Sequence, residues 1–271
     1  MLKQLVNLIR QNGFKKTIQY CFQRILGVEK QQEEIDSLFY FLNNCIDITA
    51  TPKTKNYNLR MLQECDSVLL AIFDKLCCKL GLKYWLDYGT LLGGIRHKGF
   101  IPWDDDMDVA MLREDYNKFV QNAPSFLEPY GINISPNFTW FGLNYKHQQT
   151  GIWMDIFPYD IYNKSDNNHK SPTDFQETYI CLGNEIRFKK KKIYYSDVFP
   201  LKSISFEEYK CLAPHDSDKY LRERYGDYMA FPKFGIMKHS NGQDILSERA
   251  SSYGISLSDI KSELIKIYES I

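Results

Sequence analysis

At 271 residues, with 34 Lys plus Arg against 34 Asp plus Glu, 44% hydrophobic and 15% aromatic content, the chain has the apolar mass to fold and no net charge to oppose it. Zero net charge leaves no electrostatic footprint for nucleic acid, and no window nears the roughly 20 continuous apolar residues that a membrane-spanning helix requires. Seven scattered cysteines without a C-x-x-C pair (Cys21, Cys45, Cys65, Cys77, Cys78, Cys181 and Cys211) argue against a zinc site or disulfide framework and predict buried free thiols in a reducing compartment.

Residues 1–26 carry Lys3, Arg10, Lys15, Lys16 and Arg24 with no acid, and their apolar residues recur at helical spacing on either side of Gly13. Such a basic amphipathic pair either packs on the domain or touches an anionic membrane surface. Asn7, Arg10, Gln11 and Asn12 interrupt the apolar run that a signal peptide needs, so a cytoplasmic location is expected, with peripheral contact at the inner face of the membrane as a further option. Thr49 to Asn58 reads as a linker, and a long helix follows from Leu59, with Leu62, Cys65, Leu69, Phe73, Leu76 and Leu80 on one face and Gly81 as its stop. Next come a strand over Lys83 to Tyr88, a short helix over Thr90 to Lys98, a strand over Met107 to Leu112 and a helix over Glu114 to Phe126. Ile132 to Phe157 reads as strands with turns near Asn137 and Gln148, and the remainder from about Ser165 as mostly helical, including Asp218 to Tyr225 and Ser258 to Tyr268.

Chemistry concentrates at Pro102-Trp103-Asp104-Asp105-Asp106-Met107-Asp108-Val109. Carboxylates this crowded repel one another unless a cation neutralises them. Alternation along a strand puts Asp106 and Asp108 on one side, roughly 7 Å apart at Cα, and turns Met107 and Val109 toward the core. A calcium loop fails, since Val109 stands where its sharp turn needs glycine and Asp115 where it needs glutamate. Upstream, Gly89-Thr90 opens the short helix, whose N-terminus offers N–H groups to a phosphate, with Thr90 expected as its cap. Arg96, His97 and Lys98 add cationic donors for the same phosphate. Asp155, interrupting an apolar strand, finds its natural partner in the same metal.

The run D-Y-G-T-L-L-G-G-I-R-H-K-G-F-I-P-W-D-D-D-M-D from Asp87 to Asp108, then M-D-I-F-P-Y-D from Met154, then Y-L-x-x-x-Y-G-D-Y-M from Tyr220 to Met229, resembles the LicD family of phosphotransferases, relatives of the fukutin-related proteins. The resemblance covers about Leu59 to Pro232; Gly94, where the family often has Ala, is a mild departure. It implies an α+β, nucleotidyltransferase-like fold, a small mixed sheet flanked by helices with helical N- and C-terminal extensions, divided as residues 1–58, a catalytic domain 59–235 and a tail 236–271. It also implies transfer of a phosphorylated alcohol, phosphocholine or a polyol phosphate, from a CDP-activated donor to a glycan or lipid-linked sugar, in lipopolysaccharide, teichoic acid or capsule assembly. In that pattern Asp106, Asp108 and Asp155 look like catalytic carboxylates holding magnesium, or manganese in its place, and Gly89, Thr90, Arg96, His97 and Lys98 like the donor's binding residues. Asp155 is also placed to take the acceptor's proton. Two rivals stay open: a D-x-D glycosyltransferase using a nucleotide sugar, and an inactive scaffold in glycan assembly.

Overall fold

The computed structural model describes residues 16, 28–137, 140–146, 151–163, 178–182, 193–232 and 256–271. The chain divides into two compact units, residues 1–48 and 49–271. In the first, α1 (Val28–Cys45) is a helix not separately expected; the basic helix pair expected within residues 1–26 lies outside the described residues, apart from Lys16.

The second unit begins with α2 (Tyr57–Leu80). Asn56 caps it by accepting the Leu59 N–H, and Gly81, at φ 68°, ends it in the left-handed conformation that glycine adopts without strain. The expected linker is therefore only the short stretch before that cap. The strand expected over Lys83 to Tyr88 is reduced to β1 (Trp85–Leu86), which pairs antiparallel with β2 (Met107–Leu112). Between them lies α3 (Tyr88–Arg96), and after β2 come α4 (Arg113–Asn122) and a single turn, α5 (Pro124–Leu127). Pro124 divides the single helix expected over Glu114 to Phe126, because proline lacks the N–H that would continue the ladder.

β3 (Ile132–Asn137), β4 (Trp140–Tyr145) and β5 (Trp153–Asn163) realise the expected aromatic strands. β2 and β5 run parallel, with Met107 opposite Met154 and Asp108 opposite Asp155, while the remaining pairs are antiparallel. The order β1-β2-β5-β4-β3, with β6 (Thr178–Leu182) and β7 (Ile193–Tyr194) continuing from the far half of β5, makes one mixed sheet. Because β2 is central and parallel to β5, Met107, Val109, Ala110 and Met111 are buried in the core.

The C-terminal half departs from the helical expectation. A single turn, α6 (Tyr195–Val198), is followed by the hairpin β8 (Lys202–Phe206) and β9 (Tyr209–Ala213), and among the described residues only α7 (Ser217–Tyr225) and α8 (Leu257–Ser270) are helices of two turns or more. Phe206, Cys211 and Ala213 are buried while Ser203 and Lys210 are exposed, and with only five residues in each strand the alternation is too short to stand out. α8 packs along α2, so the stretch set apart at 236–271 contributes a helix to this same unit. Cys65, Cys77 and Cys211 are buried free thiols as expected; Cys45 and Cys78 are free but exposed.

Candidate active site

Directly after β1 comes Asp87, whose carboxylate is completely buried and caps α3 by accepting the Tyr88 N–H. The cap is thus Asp87 and not Thr90, since the helix opens two residues earlier than expected. Tyr220 O–H donates to Asp87 Oδ1 at 2.8 Å, Tyr159 O–H donates to Oδ2 at 2.7 Å, and the Arg224 guanidinium stands 3.1 Å from Oδ1. That guanidinium also lies 3.9 Å from the centre of the Tyr88 ring. β1, β5 and α7 are thereby locked to the first turn of α3.

Thr90 is buried, and its hydroxyl accepts the Asp108 N–H at 2.8 Å. It pins the start of β2 to α3 instead of presenting itself to a ligand. Gly89 has a different reason: a Cβ there would lie 2.6 Å from Asp104 Oδ2, so its absence lets the Asp104 carboxylate approach the N-terminal turn of α3.

Asp104, Asp105 and Asp106 bring carboxylate oxygens mutually within 4.8 Å, and among the described residues they are the acids that do so. The tightest triple is therefore this loop, and not the expected Asp106, Asp108 and Asp155, although Asp108 and Asp155 face each other across the parallel strands just beyond it. Burial, followed by the charges of Asp106 and Asp104, raises Asp108 well above the usual carboxylate range. Burial, with Asp106 and Asp105, raises Asp104 likewise, opposed by Arg96. Asp155 accepts the Trp153 indole N–H at 2.6 Å, and Gly142 across the strand leaves the space that this ring fills.

Three of these acids, Asp104, Asp106 and Asp108, open into a cleft of about 330 Å³, whereas Asp105 and the expected Asp155 are not among its lining residues. Gly89, Asp104, Asp106 and Asp108 line its floor, Arg96 one side, and Tyr88, Trp103, Tyr225, Tyr228 and Phe231 an aromatic wall. Of the five expected donor-binding residues, Gly89 and Arg96 line the cleft; Thr90, His97 and Lys98 do not. Arg96 is buried, which pushes its guanidinium down to about 10, and donates to the Tyr228 carbonyl at 2.8 Å. His97 accepts from Arg96, and burial together with that guanidinium pushes its imidazole down to about 4, so it is neutral at physiological pH. Exposed Lys98 adopts φ 59° and its carbonyl accepts the Glu207 N–H, tying the loop to the β8–β9 hairpin.

Sequence reasoning does not single out the aromatic wall as part of the site, although Tyr225 and Tyr228 belong to the third motif quoted above. Their place in that motif is the signal that could have found them.

Over residues 81–216, half of the chain, the sequence matches the family described as LicD/FKTN/FKRP, nucleotidyltransferase domain. It is 36% identical over 121 residues to the lipopolysaccharide cholinephosphotransferase LicD of Haemophilus influenzae, covering 39% of this chain and 46% of that one. It is 24% identical over 176 residues to the human ribitol 5-phosphate transferase FKRP (62% and 32% covered) and 26% identical over 166 residues to the human ribitol-5-phosphate transferase FKTN (60% and 33%). The chain thus spans less than half the length of each of these three relatives. Held on a mixed sheet, with its acids at the open end of the β2–β5 pair, the chain belongs to the LicD/FKTN/FKRP family of nucleotidyltransferase domains.

Proposed function

We propose that this chain is a metal-assisted phosphotransferase that moves a phosphorylated alcohol from a CDP-activated donor to a sugar hydroxyl of a glycan. The observation that carries the reading is the acid floor, Asp104, Asp106 and Asp108, beside the N-terminal turn of α3 at the base of an aromatic cleft. The names of two relatives support group transfer of this kind, one a cholinephosphotransferase and the other a ribitol 5-phosphate transferase. They differ in the alcohol, and both phosphocholine and a polyol phosphate fit the proposal.

The donor set suits magnesium or manganese: every ligand offered is a hard carboxylate oxygen, and the raised proton affinities of Asp104 and Asp108 register negative charge that a cation would balance. We assign Asp106, Asp108 and Asp155 to it, with Asp104 completing the row. Such a cation, when bound, neutralises charge on the donor's phosphates. The residues themselves orient the reactants. Arg96, charged at neutral pH, faces the anionic donor from the cleft side, and the aromatic wall offers flat surface to a base or an alkylammonium group. The sugar oxygen then bonds to the phosphorus bearing the alcohol, the bond from that phosphorus to the bridging oxygen breaks, CMP leaves, and a carboxylate of the row takes the hydroxyl proton.

The basic N-terminal segment is proposed to bring the enzyme to a lipid-linked acceptor at the inner membrane face; among the described residues no helix is long and apolar enough to cross a membrane. A panel of CDP-alcohols, assayed for CMP release with magnesium and a sugar acceptor, tests the function. Release of UDP from a nucleotide sugar, with every CDP-alcohol inert, would favour the glycosyltransferase and overturn the proposal.

A further inference from the structure

α2 reaches the acid loop with a side chain that none of the quoted motifs contains. Gln63 is buried, and its amide nitrogen donates to the Asp104 carbonyl at 2.9 Å and to the Ile101 carbonyl at 3.3 Å. Those carbonyls are the two ends of a tight turn, Ile101-Pro102-Trp103-Asp104, which the Asp104 N–H closes by donating to the Ile101 carbonyl at 3.0 Å, with proline at the position such turns favour. One side chain thus ties both ends of the turn to a helix. The other side of the amide is engaged as well: the Arg60 guanidinium, one turn earlier on α2, stands 3.5 Å from Gln63 Oε1 and donates to the Glu207 carboxylate at 3.1 and 2.9 Å. Glu207 in turn accepts the Phe100 N–H at 3.4 Å, so Gln63, Arg60 and Glu207 together brace the segment that leads into the acids.

The acid that ends this turn is the one that meets the first turn of α3, 2.6 Å from where a Gly89 Cβ would stand, and it lines the cleft floor. Asp105 and Asp106 follow it directly, and residues 101–106 belong to no helix or strand, so no ladder of backbone bonds holds them. Carboxylates within 4.8 Å of one another push such a segment apart. Filling space would suit methionine or leucine as well; what an amide adds is a pair of N–H donors aimed at the carbonyls of the turn. We propose that Gln63 is a positioning residue: by holding the turn of residues 101–104 it fixes the Asp104 carboxylate, and Asp106 after it, at the cleft floor in the geometry that cation binding and phosphoryl transfer require. The inference rests on the metal-assisted reading and extends it to a residue outside the 81–216 family match.

The test substitutes Gln63→Met in the full-length chain, which keeps the length of the side chain and removes its donors. Manganese alone is titrated by electron paramagnetic resonance, and CMP release is assayed from CDP-choline and CDP-ribitol with magnesium and a sugar acceptor. The variant should bind manganese about tenfold more weakly than wild type, as changes behind metal ligands do, and lower kcat by about tenfold or more with the donor KM within about threefold. Phe119→Leu, buried in the core and not lining the cleft, controls for lost stability: it should melt below wild type yet keep manganese affinity and kcat. Gln63→Met within about threefold of wild type in either manganese affinity or kcat overturns the inference, and so does an equal loss of both in Phe119→Leu, since any destabilisation would then suffice. If Gln63→Met does not fold, Gln63→Asn, which withdraws the amide by one methylene, decides by the same limits. If wild type binds manganese but releases no CMP, the phosphotransferase reading fails and manganese affinity decides the role of Gln63. If wild type binds no manganese, both fail.

Discussion

Replacing Asp87 by asparagine isolates the buried charge beneath the cleft. Asparagine caps a helix as well as aspartate does, so the α3 cap survives the change. What fails is the rest of the set. Oδ1 receives the Tyr88 N–H, the Tyr220 O–H and the Arg224 guanidinium, and Oδ2 the Tyr159 O–H. An amide turns one of these acceptors into a donor facing other donors, and it leaves Arg224, whose side chain is 8% exposed, without its counter-charge. Breaking a buried ion pair on one side costs about 3–5 kcal/mol. At about 2–4 °C per kcal/mol for a domain of this size, Asp87→Asn should melt roughly 6–20 °C below wild type. Thermal and urea denaturation measure the loss, and a double-mutant cycle with Arg224→Met apportions it. Because Arg224→Met removes the stranded cation, the double variant should be less destabilised than the sum of the singles by about 1–3 kcal/mol. A cost below about 1 kcal/mol for Asp87→Asn, or simple additivity, would refute the assignment of Asp87 as the charge partner of Arg224.

Asp106→Asn and Asp108→Asn should each lower turnover by about a hundredfold or more while keeping the wild-type circular dichroism, and their apo melting temperatures should hold or rise as repulsion is relieved; near-full activity in either with magnesium would remove it from the site. Asp155→Ala should be as damaging as these, and wild-type manganese affinity in it would leave Asp155 as only the partner of the Trp153 indole. Gly89→Ala should barely alter stability, since the gain in helix propensity offsets part of the crowding, yet it must displace the Asp104 carboxylate 2.6 Å from the new Cβ, so manganese titration should show about tenfold weaker binding. With a chelator present, the melting temperature should fall as pH rises above the ordinary carboxylate range. Asp66, Asp104 and Asp108 are raised in the fold, so their contribution is complete below the unfolded value of about 4 and lost as pH climbs through the folded values. His97 has the opposite sign, its contribution complete above about 6.5 and lost as pH falls toward about 4, but it is one group against three; a melting temperature that climbs steadily from about pH 4 to 8 would contradict the raised carboxylates.

Features that depend on near neighbours along the chain are legible in the sequence itself. Met107 to Leu112 alternates acids with apolar residues only at its start and then turns apolar, which suits a central strand of a mixed sheet. α2 ends at Gly81 because glycine adopts the left-handed conformation there, and the Tyr220 to Met229 motif is visible as a pattern. Residues far apart in the chain are matched only by folding. Asp87 meets Arg224 across 137 positions, Gln63 reaches the carbonyl of Asp104 across 41, and no periodicity encodes either contact. The β8–β9 hairpin is hard to read from the sequence because each strand has only five residues over which a two-residue period can show. Thr90 and His97 have the chemistry of ligand groups, but tertiary packing engages the hydroxyl with the Asp108 N–H and the imidazole with Arg96. Composition and motif identify the acids that crowd together, whereas which of them face one another follows from how the parallel β2–β5 pair meets the acid loop.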